Sequence, residues 1–179
     1  MHSFHDLIIN RRSIRSYTAE PLTPEQVQTI LEAALMAPTS KNSRSWQFVC
    51  VDDRDMLTRL ADCKQAGAVP VGRCALAVVV CGDPSASDAW VEDASIAATF
   101  MQLQAADLGL GSCWVQRRGR FAADGTPSEQ CVAELLGIPE QYPVLCIITI
   151  GHPDEQRRPL DPAKALWEKV HIGNWRVTE

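Results

Sequence analysis

The sequence predicts an α+β fold: a three-layer α/β/α sandwich around a central mixed sheet, followed by an extended C-terminal arm. Two observations predict this class. The runs 75–80 and 144–150 are continuously apolar, which is typical of strands buried on both faces. Segments with helical apolar spacing alternate with the predicted strands, and two of them precede the first strand. The 179 residues are 46% hydrophobic, which is sufficient for a single domain spanning residues 1–179.

Capping signals and apolar spacing predict the individual elements. Residues 4–10 predict a short first helix. Thr23 and Gln26 form a capping-box pattern around Pro24, and apolar residues then recur on one helical face until Pro38 ends the helix. Further helices are predicted at 54–65, 88–108 and 128–136, and strands at 47–51, 75–80, 112–116 and 144–150.

The last residues, 160–179, predict an arm rather than a further element of the sandwich. They include Trp167 and Trp175 but have no long periodic face. Two tryptophans are too apolar to remain in water. We therefore expect the arm to dock, either on the core of its own chain or on a partner subunit, and composition does not separate these alternatives.

Charge and cysteine content exclude several classes of function. The chain has 22 acidic and 17 basic residues, a formal charge of -5 and no long basic stripe, so nucleic acid is not an expected partner. Its seven cysteines show no zinc-ligand spacing, so we expect no metal site. We interpret them as reduced core residues, with Cys113 as the best candidate for a redox-active thiol. The absence of a membrane-length apolar run and of a signal-peptide core predicts a cytoplasmic location, away from the membrane.

Five arginines gather in two short segments near the two ends of this acidic chain. They are Arg11, Arg12, Arg15, Arg157 and Arg158. Guanidinium groups match the oxygens of phosphate, and each charge-assisted hydrogen bond contributes about 1.5–3 kcal/mol. The grouping predicts a site for a small anion. The alternative is a solvated surface with weak ion pairs.

Four segments in sequence order carry a resemblance to a known family. Residues 11–15 read Arg-Arg-Ser-Ile-Arg, and residues 37–46 begin Ala-Pro-Thr-Ser and end in Trp. The other two are Leu-Gly-Leu-Gly-Ser-Cys-Trp at 108–114 and the Gly-His-Pro segment with two arginines at 151–158. Together they resemble the FMN-dependent nitroreductases, the NAD(P)H:flavin oxidoreductase-like family. Two departures are Arg44-Ser45, where the family commonly has Gln-Pro, and the lack of the helical insertion of larger members.

The resemblance implies tightly bound, non-covalent FMN, with NAD(P)H as the reductant. Arg11 would bind the phosphate together with Arg157 and Arg158, assisted by Arg12 and Ser13. Arg12 could instead be an ordinary surface or ion-paired arginine. The remaining arginine of the first segment, Arg15, would lie at the pyrimidine side of the flavin ring, where a cation stabilises the reduced flavin.

The resemblance also implies that each cofactor site is completed by a second subunit. The residues expected to reach the flavin from the partner of a homodimer are Pro38, Thr39, Ser40 and Asn42. The backbone groups expected at the N5 and O4 edge of the ring belong to Trp114, Val115 and Gln116. Asn42 could instead cap a turn, and the Trp114 indole could be core packing. Small residues at 94–99 and the arm would form the interface.

The implied activity is reduction of nitroaromatics, quinones or related acceptors by a ping-pong hydride transfer. No catalytic side chain is expected, because the cofactor carries the chemistry. Arg117, Arg118 and Arg120 form a third basic group, which we interpret as a solvated loop rather than a site for NAD(P)H phosphates. Two alternatives remain: another redox role of the same flavin fold, such as dehalogenation or flavin breakdown, and a non-enzymatic module that binds a nucleotide or phosphometabolite.

Overall fold

The computed structural model describes residues 3–175 and contains all nine predicted helices and strands. Their bounds differ from the predicted ones by a few residues. The helices are α1 Phe4–Asn10, α2 Pro24–Leu35, α3 Arg54–Asp62, α4 Trp90–Asp107 and α5 Ser128–Leu136. The strands are β1 Trp46–Val51, β2 Leu76–Gly82, β3 Gly111–Gln116 and β4 Val144–Gly151.

The sheet has the strand order β1-β2-β4-β3, and its pairings are antiparallel. The mixed sheet that we predicted is therefore wrong for these four strands. Parallel pairing in residues 3–175 is limited to an isolated bridge between Ser13 and Ser112. The expectation arose because strands buried on both faces are typical of parallel sheets. Burial of both faces of a strand shows only that helices cover both sides of the sheet. It does not show whether neighbouring strands run parallel or antiparallel.

Helices cover both faces of the sheet, which confirms the predicted three-layer α+β sandwich. Neighbouring residues of β2 and β4 point to opposite faces, as the pleat requires. Val78 and Ile148 belong to the core beneath α2 and α4, whereas Val79 and Ile147 belong to the core beneath α3 and α5. α1 packs beside α4. No helix within residues 3–175 is long and apolar enough to cross a membrane.

The C-terminal arm is exposed along the part that the structure describes. Two short 3-10 turns interrupt residues 160–175, and the side chains of Trp167 and Trp175 are 73% and 80% exposed. The His171 and Trp175 rings stack on each other with centroids 4.1 Å apart. The alternative in which the arm docks on its own core is therefore wrong for residues 160–175, and residues 176–179 lie outside the described part.

The interpretation of the cysteines as reduced core residues is wrong for three of the seven. Cys63 at the end of α3 and Cys131 in α5 form a disulfide, with Cα atoms 5.5 Å apart, and Cys50 is exposed. The 68 residues between the paired cysteines explain why no local motif predicts the bond. The pairing depends on α3 and α5 lying side by side on the same face of the sheet.

Arg117 also contradicts the expected solvated loop, because its side chain is completely buried between α3 and α5. Its guanidinium donates to the Leu60 carbonyl at 3.0 Å and to the Ser128 hydroxyl at 3.3 Å. Leu60 lies in the last turn of α3, so Arg117 places a cation at the negative end of that helix. Burial lowers the pKa of Arg117 to about 10, which leaves the group charged at neutral pH.

Candidate functional site

A cavity of about 470 Å³ opens at the end of the sheet where β3 begins and β4 ends. The cavity lies where segments from near the two ends of the chain meet, because segment 11–17 runs alongside residues 151–155. The Thr18 N–H donates to the His152 carbonyl, and the Asp154 N–H donates to the Ser16 carbonyl, each at 2.9 Å. The lining comprises Asp6, Leu7, Asn10, Arg11, Arg12, Ile14, Ala106, Asp107, Gly109, Leu110, Gly111, Ser112, Pro153, Glu155, Gln156 and Arg157.

Two paired glycines explain why the N-terminal segment lies so close to the sheet. Gly111 of β3 pairs with Gly151 of β4. A Cβ atom on Gly111 would lie 2.7 Å from the Ile14 side chain, and one on Gly151 would lie 2.9 Å from the Tyr17 ring. The Ile14 N–H donates to the Ser112 carbonyl at 2.9 Å, and the Tyr17 hydroxyl donates to the Ile14 carbonyl at 2.6 Å. These contacts fix the backbone that carries the first arginines.

The structure brings together arginines from both ends of the chain, as the sequence predicts. Arg11, Arg12 and Arg157 line the cavity. The Arg12 guanidinium donates to the carbonyl of Arg158, so this residue contributes its backbone to the contact between the two segments. This bond gives Arg12 a structural role, and the alternative of an ordinary surface or ion-paired arginine is not tested by it. Three guanidinium groups around one cavity form a suitable site for a phosphate group.

Glu155 is a residue of this site that the sequence reasoning missed. Its carboxylate accepts hydrogen bonds from the Arg15 N–H at 2.5 Å and from the Ser16 N–H at 3.3 Å, and it pairs with Arg157 at 2.5 Å. The Arg15 N–H and the Arg157 charge lower the pKa of Glu155. The carboxylate therefore fastens the two arginine-bearing segments to each other. The available signal was an acidic pair, Asp154 and Glu155, close to Arg157 and Arg158.

The Ser13, Arg15 and Arg158 side chains lie outside the lining of the cavity. Ser13 forms the parallel bridge to Ser112 beside the cavity, and Arg15 is exposed. The Cys113 thiol donates to the Trp114 carbonyl at 3.6 Å, and the Arg15 charge acts on it to lower its pKa. Burial raises the pKa of Cys113 more than Arg15 lowers it, so the thiol stays protonated at neutral pH. This argues against Cys113 as the reactive thiol of the sequence analysis.

β3 is an edge strand, and its free side begins at the cavity. The Ser112 carbonyl points away from β4, because it accepts from Ile14. Backbone groups alternate along an antiparallel strand, so those of Trp114 and Gln116 also face the free edge, whereas those of Val115 face β4. The Trp114 indole packs on the α4 side and donates to the Gln116 side chain at 2.9 Å. The alternative in which the Trp114 indole packs against the core is therefore correct. The backbone N–H groups of Trp114 and Gln116 remain available at the free edge of β3.

The segment 38–42 lies at the opposite corner of the sheet from the cavity. It precedes Trp46, which pairs with Gly82 at the far end of β2, and β1 and β3 are the two outer strands. Strand spacing and rise give a diagonal of roughly 20 Å across a sheet of this size. One chain therefore does not bring Pro38, Thr39, Ser40 and Asn42 to its own arginine cavity.

Comparison with known proteins identifies the class that this fold and site define. The family model for the nitroreductase family matches residues 8–81 and 64–152. A Clostridium difficile R20291 protein, whose solved structure is described as an FMN-dependent nitroreductase, is 41% identical and superposes with a TM-score of 0.92, covering 94% of this chain and 98% of that one.

Two sequence relatives extend the comparison. An Archaeoglobus fulgidus protein, provisionally named NADH dehydrogenase/NAD(P)H nitroreductase, is 35% identical over 84% of this chain and 86% of its own. The NADPH-flavin oxidoreductase of Vibrio harveyi is 32% identical over 87% of this chain and 68% of its own. The chain belongs to the nitroreductase family, which confirms the resemblance inferred from its four sequence segments.

Proposed function

We propose that this protein is an FMN-dependent oxidoreductase that oxidises NAD(P)H and reduces nitroaromatics, quinones or related acceptors. The observation that carries the proposal is the cavity lined by Arg11, Arg12 and Arg157, placed directly beside the free edge of β3. One side of this arrangement suits a phosphate, and the other offers backbone donors to a planar ring. The names of the Clostridium difficile and Vibrio harveyi relatives support the same cofactor and reductant.

The residues present suit FMN at its phosphate and at its ring. Gly111 and Gly151 allow the N-terminal backbone to lie against the sheet, so that Arg11 reaches the same cavity as Arg157. Arg11, Arg12 and Arg157 would donate charge-assisted hydrogen bonds to the phosphate oxygens, while Asp6, Asp107 and Glu155 in the same lining offset part of their positive charge. The free N–H groups of Trp114 and Gln116 would donate to acceptor atoms on the ring.

When bound, FMN supplies reversible acceptance and donation of a hydride, so that reductant and acceptor react in turn in a ping-pong sequence. The chain itself binds and orients the participants. Arg15 would place a positive charge beside the pyrimidine end of the ring and so favour its reduced, anionic form. No side chain is required as a general acid or base, and we retain the cytoplasm as the proposed location because NAD(P)H is available there.

We further propose a homodimer with two cofactor sites at its interface. The arginine cavity and segment 38–42 lie at opposite corners of one chain, so a second copy must supply the missing half of each site. Ile96 and Phe100 on the outer face of α4 are 37% and 38% exposed, next to each other on one helical stripe. With the exposed arm they would contribute apolar area to the interface, which in obligate dimers buries about 2,000 Å² or more.

The first test is the visible absorption spectrum of the purified protein, repeated on the supernatant after denaturation. We expect flavin absorption that is released on unfolding, and uptake of added FMN by any colourless fraction. A protein that stays colourless and binds no added FMN would overturn the proposal and favour the non-enzymatic nucleotide-binding module.

The second test concerns the reaction. Initial rates of NADH or NADPH oxidation should depend on a nitroaromatic or a quinone, with parallel lines in double-reciprocal plots at varied acceptor concentration. Intersecting lines would exclude the ping-pong sequence. A protein that binds FMN but oxidises neither nicotinamide would favour another redox role of the same fold.

A further inference from the structure

Asp93, in the first turn of α4, carries a buried carboxylate whose hydrogen bonds converge on the loop before β1. The residue is only 2% exposed. One carboxylate oxygen accepts from the Ser40 N–H at 2.7 Å. The other accepts from the hydroxyls of Ser43 at 3.0 Å, Ser45 at 3.2 Å and Ser87 at 3.0 Å. Three of these four donors lie within residues 40–45, so a single side chain of α4 determines the path of that loop.

The loop that Asp93 organises has an unusual backbone. Lys41, Asn42 and Arg44 have φ angles of 51°, 55° and 49°, in the left-handed region that side chains other than Asn rarely adopt. Pro38, Lys41 and Asn42 are exposed. Such a conformation persists only when the surroundings determine it. The bonds from Ser40 and Ser45 lie before and after the left-handed residues, and the bond from Ser43 lies between Asn42 and Arg44.

We propose that Asp93 is a positioning residue for the cofactor: it acts through Ser40 and Ser43 to present Pro38, Thr39, Ser40 and Asn42 to the FMN of the partner subunit. The inference rests on the proposed function, since it requires FMN and a second copy of the chain. It adds a residue that makes no contact with the cavity of its own chain. Asp93 thereby connects α4, which bears the exposed Ile96 and Phe100, to the loop that completes the partner's site.

The charge of Asp93 strengthens these bonds. Burial raises the pKa of Asp93, but the hydrogen bonds from the Ser40 N–H and the three serine hydroxyls lower it by more. The pKa therefore lies below its ordinary value. Asp93 forms no ion pair with any residue in the range 3–175. Its charge is therefore compensated by these four donors and by the N-terminal end of α4. Asparagine at this position would keep the shape but weaken the charge-assisted bonds.

The experiment compares Asp93→Asn with Asp88→Asn, which removes the same charge from an exposed position just before α4. FMN affinity is measured by quenching of flavin fluorescence, folding by circular dichroism and thermal melting, and mass by light scattering. We expect Asp93→Asn to weaken FMN binding about ten- to a hundredfold and Asp88→Asn to change it less than twofold. Ser43→Ala, which removes one donor and should fold in any case, is expected to weaken binding about three- to tenfold.

Complementation between chains tests whether the effect is exerted across the interface. Differently tagged Arg11→Ala and Asp93→Asn chains are refolded together and the mixed dimer is isolated. One of its two sites then combines the native arginine cavity of one chain with the native loop of the other, while the second site carries both defects. We expect one tight FMN site per mixed dimer and none in either parent dimer.

The outcomes separate this inference from the proposed function. If the unmodified protein binds no FMN, the proposed function is wrong. If it binds FMN, but folded Asp93→Asn and Ser43→Ala chains bind equally tightly, the positioning role is wrong. A mixed dimer without a tight site would likewise overturn the role of Asp93 across the interface, because the cavity of the Asp93→Asn chain would then fail even beside the native loop of its partner.

Discussion

Arg11 is the side chain on which the proposed phosphate site depends most directly. It lines the cavity from the N-terminal segment, opposite Arg157. Arg157 is already paired with Glu155, and Arg12 is bonded to the Arg158 carbonyl, whereas no such bond of Arg11 competes with a ligand in the part of the chain that the structure describes. Arg11 is therefore the guanidinium best placed to bind phosphate without breaking an existing contact.

We predict that Arg11→Ala lowers FMN affinity about ten- to a hundredfold, because one charge-assisted hydrogen bond contributes about 1.5–3 kcal/mol. The fold should persist, since Arg11 is only half-buried. Fluorescence titration with FMN measures the loss, and Arg59→Ala, an exposed arginine of α3, is the matched control. Unchanged affinity in a folded Arg11→Ala protein would remove this residue from the phosphate site.

Asp93 gives a pH-dependent prediction. Its pKa in the folded protein is lowered, so its contribution to stability is fully present above the unfolded value of about 3.9 and is lost as the pH falls through the folded value. The difference in unfolding free energy between the native protein and Asp93→Asn should be constant, at about 1–3 kcal/mol, from pH 8 to 5.

Below about pH 4 this difference should shrink as the native carboxylate becomes protonated. Denaturant unfolding at a series of pH values measures it, and subtracting the variant removes the contributions of other acids such as Glu155. A difference that grew toward low pH would mean that the folded protein prefers the protonated form of Asp93.

The meeting of Arg11 and Arg157 at one cavity could be predicted from sequence, whereas the bonds of Glu155 and Asp93 could not. A guanidinium indicates phosphate binding by its own chemistry, so clustering along the chain was sufficient to predict that these two arginines share a cavity. Glu155 and Asp93 derive their roles from partners in other segments, and Asp93 bonds to a serine 53 positions away. In the sequence both are ordinary acids among 22.

At the level of elements, the helices and strands follow from local signals. The capping box of Thr23 and Gln26 forms as predicted, and Gly137 ends α5 with a φ of 66°. The apolar runs of β2 and β4 are buried at every position. Local signals do not determine how the helices and strands are arranged in space. Antiparallel pairing, the burial of Arg117 and the disulfide all depend on which elements become neighbours.

The Cys63–Cys131 disulfide joins α3 to α5, and we predict that it makes stability depend on redox conditions. A cross-link of this kind typically contributes about 2–4 kcal/mol, mainly by restricting the unfolded chain. The midpoint of denaturant unfolding should therefore fall when a thiol reductant is present. A reducing compartment such as the cytoplasm favours two thiols at this pair, so the bond and its stabilisation belong to the oxidised protein.

A chain with both cysteines changed to serine should unfold at the midpoint of the reduced native protein and no longer respond to reductant. Cys50→Ser, at an exposed free cysteine, is the control that should respond like the native protein. Thiol titration of the unfolded, unreduced protein should give five thiols of the seven cysteines. Seven thiols would mean that the purified protein contains no disulfide.

At the level of the whole molecule, the proposed function assigns two separate regions of one chain to different cofactor sites. The arginine cavity lies where β3 begins, and segment 38–42 lies before β1 at the opposite corner. The arm extends from the cavity side without covering its own core. The two-fold dimer that we propose would account for these features, because each chain would give its loop and its arm to the other.

Binding of FMN and dimerisation should consequently fail together. Phe100→Glu places a charge on the exposed apolar stripe of α4, where a second copy would have to bury it without a partner charge. We predict a light-scattering mass near the 19.7 kDa of one chain, instead of twice that value, and weaker FMN binding, because a single chain lacks the second half of the site. Val69→Glu makes the same change at an exposed apolar residue that follows α3, and it should leave both properties unaltered. A Phe100→Glu protein with the mass of one chain and native FMN affinity would show that the cavity arginines and the β3 edge suffice, and would contradict the shared site.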